Sequence, residues 1–352
     1  RIGVFTMNID KFRDSIKACR FCFMCRHLSG VGNVSFREAD TPRIRAAMLY
    51  GAMLDNSKLA CSDFIDTIYS SDLSAACRFH CVNSFDENGM VLAARRDIVE
   101  AGLAPADVME MAEAAKASDA RPKISGSGDI LYYIDANTAP MESESKAFGK
   151  IMKKAGIKYR IAKGGDTGKV LETLGFAGDS SIKAVEFAEA VNKSGAKVLV
   201  TPSPAVYDSL ANDLSSHGIK LIPKVMHVSE FLAQIKIKFA KKAGKVYYLE
   251  SDFLKNYNSN LKFPRELLGR LGAEIAEFGT NSEESYTCGE GAVVFDKLRP
   301  GIVEKMAKYV EARADNPASD KIVVASPYTK IQLSKHSKLK VCTLAELAAA
   351  CL

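Results

Sequence analysis

The sequence predicts a two-part chain: a helical, cysteine-bearing segment followed by two copies of one α/β parallel-sheet unit. Three observations carry this expectation. Six of the nine cysteines (19, 22, 25, 61, 77 and 81) fall in the first 120 residues, which read as mostly helical. From Asp129 onward, short apolar runs alternate with helical stretches, the order of βαβ units. That order then occurs a second time before the chain ends. A length of 352 residues suits two or three such units. The composition, 47% hydrophobic and 26% charged, is that of a folded globular chain rather than a disordered one. No apolar run reaches the ~18 residues of a membrane-spanning helix. A net charge of +6 spread over the whole length does not argue for nucleic acid.

In the first segment, Thr41-Pro42 is a helix start with proline at the first helical position, and Arg43 through Leu54 follow. Ala104-Pro105 opens another helix that runs toward Lys116. The polar stretch 117–128, rich in Gly, Ser and Pro, reads as a linker. Strands are then expected over 129–134, 158–161, 196–200 and 220–222. The intervening helices are expected over 143–155, 182–194, 205–214 and 229–235. The second copy begins at Lys245-Val-Tyr-Tyr-Leu-Glu250, which mirrors Asp129-Ile-Leu-Tyr-Tyr-Ile-Asp135. Val198-Leu-Val-Thr-Pro-Ser-Pro204 has its counterpart in Ile322-Val-Val-Ala-Ser-Pro327, and the 218–222 segment in Lys338-Leu-Lys-Val341. Asp135, Asp252, Cys288, Ser326 and Tyr328 are expected to approach one another at strand ends, where parallel α/β units gather ligands.

Cys19-x2-Cys22-x2-Cys25 is the ligand run of a bacterial-type [4Fe–4S] cluster, in which the fourth thiolate comes from a second run. The full run adds a cysteine four positions after the third, and here that position is Ser29. A second run placed on Cys77 and Cys81 has Ser71 and Ser74 at its first two positions. Under the swapped-ligand rule one cluster takes Cys19, Cys22, Cys25 and Cys81, all cysteine. Its neighbour would take Ser71, Ser74, Cys77 and Ser29, three of them serine. One complete cluster beside a degraded site is therefore expected, in a reducing, cytoplasmic compartment. A zinc site using three of these thiols with His27 or His80 is the other metal reading, although its spacing is not the usual zinc pattern. Arg20, Arg26 and Arg78 flank the thiols, either raising the potential of an anionic cluster or lying solvated at the surface.

This cysteine run, Thr41-Pro42-Arg43-Ile44-Arg45, the second run and the two α/β repeats together resemble the iron–sulfur subunits of glycolate oxidase and lactate-utilisation proteins. They also resemble the iron–sulfur subunit of heterodisulfide reductase. The resemblance implies an α+β/α/β fold. An N-terminal helical ferredoxin-like [4Fe–4S] domain (1–120) would precede two α/β parallel-sheet repeats of the cysteine-rich CCG type (129–240 and 245–352). It further implies a flavoprotein partner carrying FAD or FMN, either a FAD-linked 2-hydroxyacid dehydrogenase or an electron-transfer flavoprotein, in a hetero-oligomer. The CCG cysteines themselves are largely gone. Asp252 stands at one cysteine position, Thr287-Cys288-Gly289 at the Cys-Cys-Gly, and Ser326-Pro327-Tyr328-Thr329 at the last pair. In the first repeat the matching segments are Lys163-Gly164-Gly165 and Ser203-Pro204-Ala205-Val206, with no cysteine. The expected role is an electron-transfer subunit whose substrate chemistry lies on the partner. Two other roles stand beside it: a catalytic subunit using Cys288 on a thiol, disulfide or other small substrate between the repeats, and a non-redox zinc scaffold.

Two weaker signals remain. Gly164-Gly-Asp-Thr-Gly168-Lys169 is one residue short of a phosphate-binding loop. Lys236, Lys238, Lys241, Lys242 and Lys245 form a basic cluster, read as a solvated face or a docking patch for an acidic partner.

Overall fold

The computed structural model describes residues 6–136, 138–280 and 282–352. Two mixed α/β bodies carry a sheet each. The first sheet contains β1 (Lys123–Gly126), β2 (Ile130–Ile134), β3 (Tyr159–Lys163), β4 (Val198–Thr201) and β5 (Lys224–His227), in the order β1-β3-β2-β4-β5. The second contains β6 (Gly244–Leu249), β7 (Ala273–Ala276), β8 (Lys321–Val324) and β9 (Lys340–Thr343), in the order β7-β6-β8-β9. Without β1 the two orders are the same, and every pair within them is parallel. This is the doubly wound arrangement whose switch point lies between the first and third strands of each unit. That point falls after β2 and β4 in one repeat and after β6 and β8 in the other.

Residue parity explains why these strands read as continuous apolar runs. In β2, Leu131 and Tyr133 face one core while Tyr132 and Ile134 face another. In β6, Tyr247 and Leu249 face outward helices while Val246 and Tyr248 face the other repeat. Successive side chains alternate sides, so a strand covered on both faces must be apolar at every position. The shared core between repeats is built from Phe148, Phe231, Leu267, Leu344 and Leu347 on the helices packed between the sheets. Tyr132 stacks on Phe148 with ring centroids 3.9 Å apart.

Two expectations are corrected. The stretch 117–128 is not only a linker: its Lys123–Gly126 part is β1, paired antiparallel to β3 at the sheet edge. The strand expected at 220–222 lies instead at Lys224–His227, beyond Pro223. Ile222 is exposed, its N–H donates to Asn192 Oδ1 at 2.7 Å, and ladder pairing starts only with Lys224 opposite Val198.

Residues 6–120 are mainly helical and include helices Pro42–Leu54, Ser62–Tyr69, Glu87–Glu100 and Ala106–Ala117. Their core is not closed on itself. It takes in Leu171, Leu174 and Phe176 of the first repeat and Phe253, Phe295, Val303 and Met306 of the second. The cysteine-bearing part is thus seated across both α/β units. Among the described residues, no helix is long and apolar enough to cross a membrane.

The contact between repeats includes a buried carboxyl. Glu144, on the helix Glu142–Ala155, accepts a hydrogen bond from the Thr343 hydroxyl at the end of β9, and its Oε1 has no partner. Burial, with help from nearby Glu346, pushes this carboxyl up to about 7 against the opposing effects of Thr343 and Lys330. A folded pKa above the unfolded one means stability that is complete below the unfolded value and lost as pH rises through about 7. Glu144→Gln is expected to remove this loss, which amounts to on the order of 3 kcal/mol in wild type. Urea unfolding of both proteins at pH 5 and pH 8 measures it; parallel behaviour of the two would refute the assignment.

Candidate metal centre

Cys19 follows the short helix Arg13–Lys17, and its N–H closes that helix on Ile16 O at 3.3 Å. The chain then turns through Phe21, which has a left-handed backbone (φ 55°), and through turns closed by Arg26 N–H to Phe23 O. The second run forms a 3₁₀ turn, Ala76–Phe79, entered through left-handed Ala75 and closed by Cys81 N–H to Cys77 O at 3.1 Å. These two segments face each other across one recess of about 410 Å³, open mouth included. Cys19, Cys22, Cys25, Cys77 and Cys81 all line it, with Arg20, Pro42 and Arg43. All four cysteines expected to hold the cluster therefore meet at one place. Cys22 is exposed, and Cys19, Cys25 and Cys81 are half-buried.

The helix Pro42–Leu54 points its N-terminus at this recess. Pro42 has no N–H, so the first free donor is Arg43, and its backbone N–H bonds the Cys25 sulfur. An unsatisfied N–H at the positive end of a helix favours a thiolate. Burial nevertheless dominates and pushes the Cys25 thiol up to about 11, with Glu87, Cys19 and Cys22 adding to the rise. A metal that binds such a thiol displaces its proton to solvent. The donor set is all sulfur, which suits an iron–sulfur cluster.

Cys77 is the fifth thiol at the recess, and it has other partners. Its Sγ lies 3.6 Å from Glu87 Oε2 and 4.0 Å from Phe85 O. Glu87 in turn is fixed by buried Arg45 at 2.6 Å. Burial and this carboxylate raise the Cys77 thiol well above its ordinary range, so it stays a protonated donor.

Ser29 and Ser71 are occupied as well. Ser29 caps the helix Gly30–Ser35 by accepting Gly32 N–H at 3.1 Å, and its hydroxyl donates to Asp40 O at 2.8 Å. Ser71 Oγ accepts Leu73 N–H at 3.3 Å. Next to Ser29 the space is filled: a Cβ on Gly30 would come within 2.5 Å of Asp72 Oδ2 and 2.6 Å of Thr287 Cγ2. Arg26 and Arg78, two of the flanking cations, are paired with Glu38 and Asp86. Arg20 remains at the recess.

At the switch points, Ser203, Asp252 and Ser326 have structural roles. Ser203 and Ser326 are helix N-caps, each followed by a proline at the first helical position, accepting Val206 N–H and Thr329 N–H. In the second repeat, Asp252 accepts from the Thr287 hydroxyl, and its backbone N–H donates to Glu290 Oε2 at 3.0 Å. Glu290, pushed up to about 8 by burial and by Asp252, also accepts the Ser251 hydroxyl at 2.9 Å. Cys288 is fully buried beside them and its thiol is raised by burial, which withholds it from a substrate. Tyr328 lies near Cys288 and Glu290. Asp135 does not join this group. It lines a separate cleft of the first repeat with Tyr133, Gly165 and Thr167, a correction to the expected single cluster.

The phosphate-loop resemblance is explained by the fold. Gly164, Gly165 and Gly168 all have left-handed backbones, and a Cβ at Gly168 would lie 2.4 Å from Ser180 O. Lys169 is held by Asp208 at 2.7 Å and Asp213 at 2.8 Å, so its ammonium is already matched by carboxylates.

No protein-family model matches the chain. An EtfAB:quinone oxidoreductase of Syntrophomonas wolfei is 26% identical over 144 residues, covering 40% of this chain and 20% of that protein. The chain thus spans about a fifth of the length of the curated relative it matches. A crystal structure of a hypothetical protein from Helicobacter pylori superposes with a TM-score of 0.64 at 9% identity, covering 98% of this chain and 76% of that one. That likeness establishes a shared fold.

Proposed function

We propose that the chain is an iron–sulfur subunit that relays single electrons through one [4Fe–4S] cluster to or from a flavoprotein partner. The observation that carries this reading is the convergence of Cys19, Cys22, Cys25 and Cys81 on one recess from two separated segments. In both repeats, meanwhile, the matching thiol positions hold caps and carboxylates. When bound, the cluster supplies reversible one-electron redox chemistry. The protein's part is to hold the four sulfurs, aim the Arg43 N–H at Cys25 and admit the partner. The rim suits docking. Phe21, Phe23, Met24, Phe79 and Val82 are exposed large apolar side chains on the two cysteine segments. A partner surface covering them would bury apolar area and exclude water around the cluster. The similarity to a protein named as an EtfAB:quinone oxidoreductase supports an electron-transfer flavoprotein as the partner class.

Anaerobic purification followed by iron, sulfide and zinc analysis tests the reading. A brown protein with about four irons and four sulfides per chain is expected. Its dithionite-reduced form should be reoxidised by an oxidised electron-transfer flavoprotein. A colourless protein holding stoichiometric zinc at these cysteines would overturn it.

A further inference from the structure

Between the cysteine segments and the second repeat lies a second set of metal-type donors. His27 sits two positions after Cys25 and His80 one position before Cys81, so each cluster segment also carries an imidazole. Glu284 comes from the 3₁₀ turn Ser282–Glu284 of the second repeat. The three ligand atoms lie within 4.8 Å of one another, the only such grouping among the described residues. His80 Nε2 is 2.6 Å from Glu284 Oε1, and the two imidazoles meet edge to face with centroids 4.9 Å apart.

We propose that His27, His80 and Glu284 form a mononuclear site for a divalent first-row transition ion, separate from the cysteine recess. Two imidazoles and one carboxylate are the donor set of open zinc centres and of non-haem ferrous centres. Ligands at 2.0–2.2 Å around a tetrahedral ion stand about 3.4 Å apart. The present spacing reaches that after small side-chain rotations, with the His80–Glu284 hydrogen bond replaced by shared coordination. None of the three is an interior residue: His27 is exposed and the other two are half-buried, so an ion can enter from solvent.

The site opens on a cavity of about 530 Å³, mouth included. His27 and Glu284 line its rim, and Ser74, Asp252, Tyr286 and Thr287 line its wall. Three protein ligands leave at least one position of a four-coordinate ion for water or a ligand oxygen. Asp252 is buried there, its Oδ2 accepting the Thr287 hydroxyl and its Oδ1 ion-paired with Lys255 at 3.5 Å. The ion would also tie three segments together, joining His80 to Glu284 across 204 residues of sequence and clamping the cysteine loops to the second repeat.

The test titrates the cluster-loaded protein anaerobically with Zn²⁺ in competition with a chromophoric chelator. Wild type is expected to take up one zinc per chain with no loss of iron or sulfide. His80→Ala and Glu284→Gln should each weaken that uptake by more than the roughly 10–100-fold that outer-shell changes cost. Their iron content and visible spectrum should stay at the wild-type level, which separates this site from the cluster. Zinc should also raise the melting temperature of wild type and not of the variants. No uptake by wild type, equal uptake by a His27→Ala/His80→Ala/Glu284→Gln triple variant, or uptake that displaces cluster iron would each overturn the proposal.

Discussion

Cys81→Ala is expected to leave a protein that cannot retain the proposed [4Fe–4S] cluster, with iron falling from about four per chain to well under one. Cys77→Ala, four residues earlier and at the same recess, is expected to keep it. The contrast is the sharpest statement the site makes, because both sulfurs border the same cavity. What separates them is engagement. The Cys77 thiol donates toward Glu87, whose carboxylate is locked by Arg45 at 2.6 Å, and burial keeps it protonated. Cys81 is half-buried. A cubane missing one thiolate sheds an iron or falls apart, and the loss carries folding free energy with it because cluster binding and folding are coupled. Iron and sulfide counts on anaerobically purified variants read the result. Iron retained in Cys81→Ala and lost in Cys77→Ala would reverse the ligand assignment.

The strands and their repetition were legible because burial on both faces writes itself as unbroken apolar runs, as in Leu131–Ile134 and Val246–Leu249. Ser203-Pro204 and Ser326-Pro327 open helices, serine at the N-cap and proline at the first helical position. β1 was not legible: Lys-Ile-Ser-Gly at a sheet edge, mostly exposed, has neither alternation nor an apolar run. The 220–222 segment misled because Leu221 and Ile222 look like a strand core, whereas Ile222 is held at the surface by an Asn192 side chain. Sequence spacing flagged the four cysteines and both histidines. It could not flag Glu284 beside them, since nothing local ties residue 80 to residue 284. Nor could it assign Arg45 and Glu87 their place behind Cys77, for the same reason.

Arg95→Met is expected to cost about 3–5 kcal/mol of stability, the scale of three buried carbonyls that lose their donor at about 1–3 kcal/mol each. Arg95 is fully buried on the helix Glu87–Glu100. Its guanidinium donates to Ile68 O at 3.2 Å, Ser71 O at 3.1 Å and Thr173 O at 2.8 Å, and it lies over the Tyr69 ring. Ile68 and Thr173 belong to the last turns of the helices Ser62–Tyr69 and Lys169–Leu174. One cation therefore caps two helix C-termini, whose free carbonyls carry partial negative charge. Burial lowers its pKa only to about 10, so it stays charged at neutral pH. Methionine keeps the bulk but leaves three buried carbonyls without donors, each a desolvation cost. Lysine is expected to rescue little, because a single ammonium cannot span the fork that the guanidinium fills. The closeness is visible at Gly175, where a Cβ would lie 2.6 Å from the Arg95 carbonyl carbon. Denaturant unfolding of Arg95→Met and Arg95→Lys against wild type measures the cost. Their iron content in the cold should stay at the wild-type level, since Arg95 sits among backbone carbonyls rather than at the thiols. A loss below about 1 kcal/mol would mean that these helix ends find other partners, and that the seat of the cysteine segment on the first repeat does not depend on this cation.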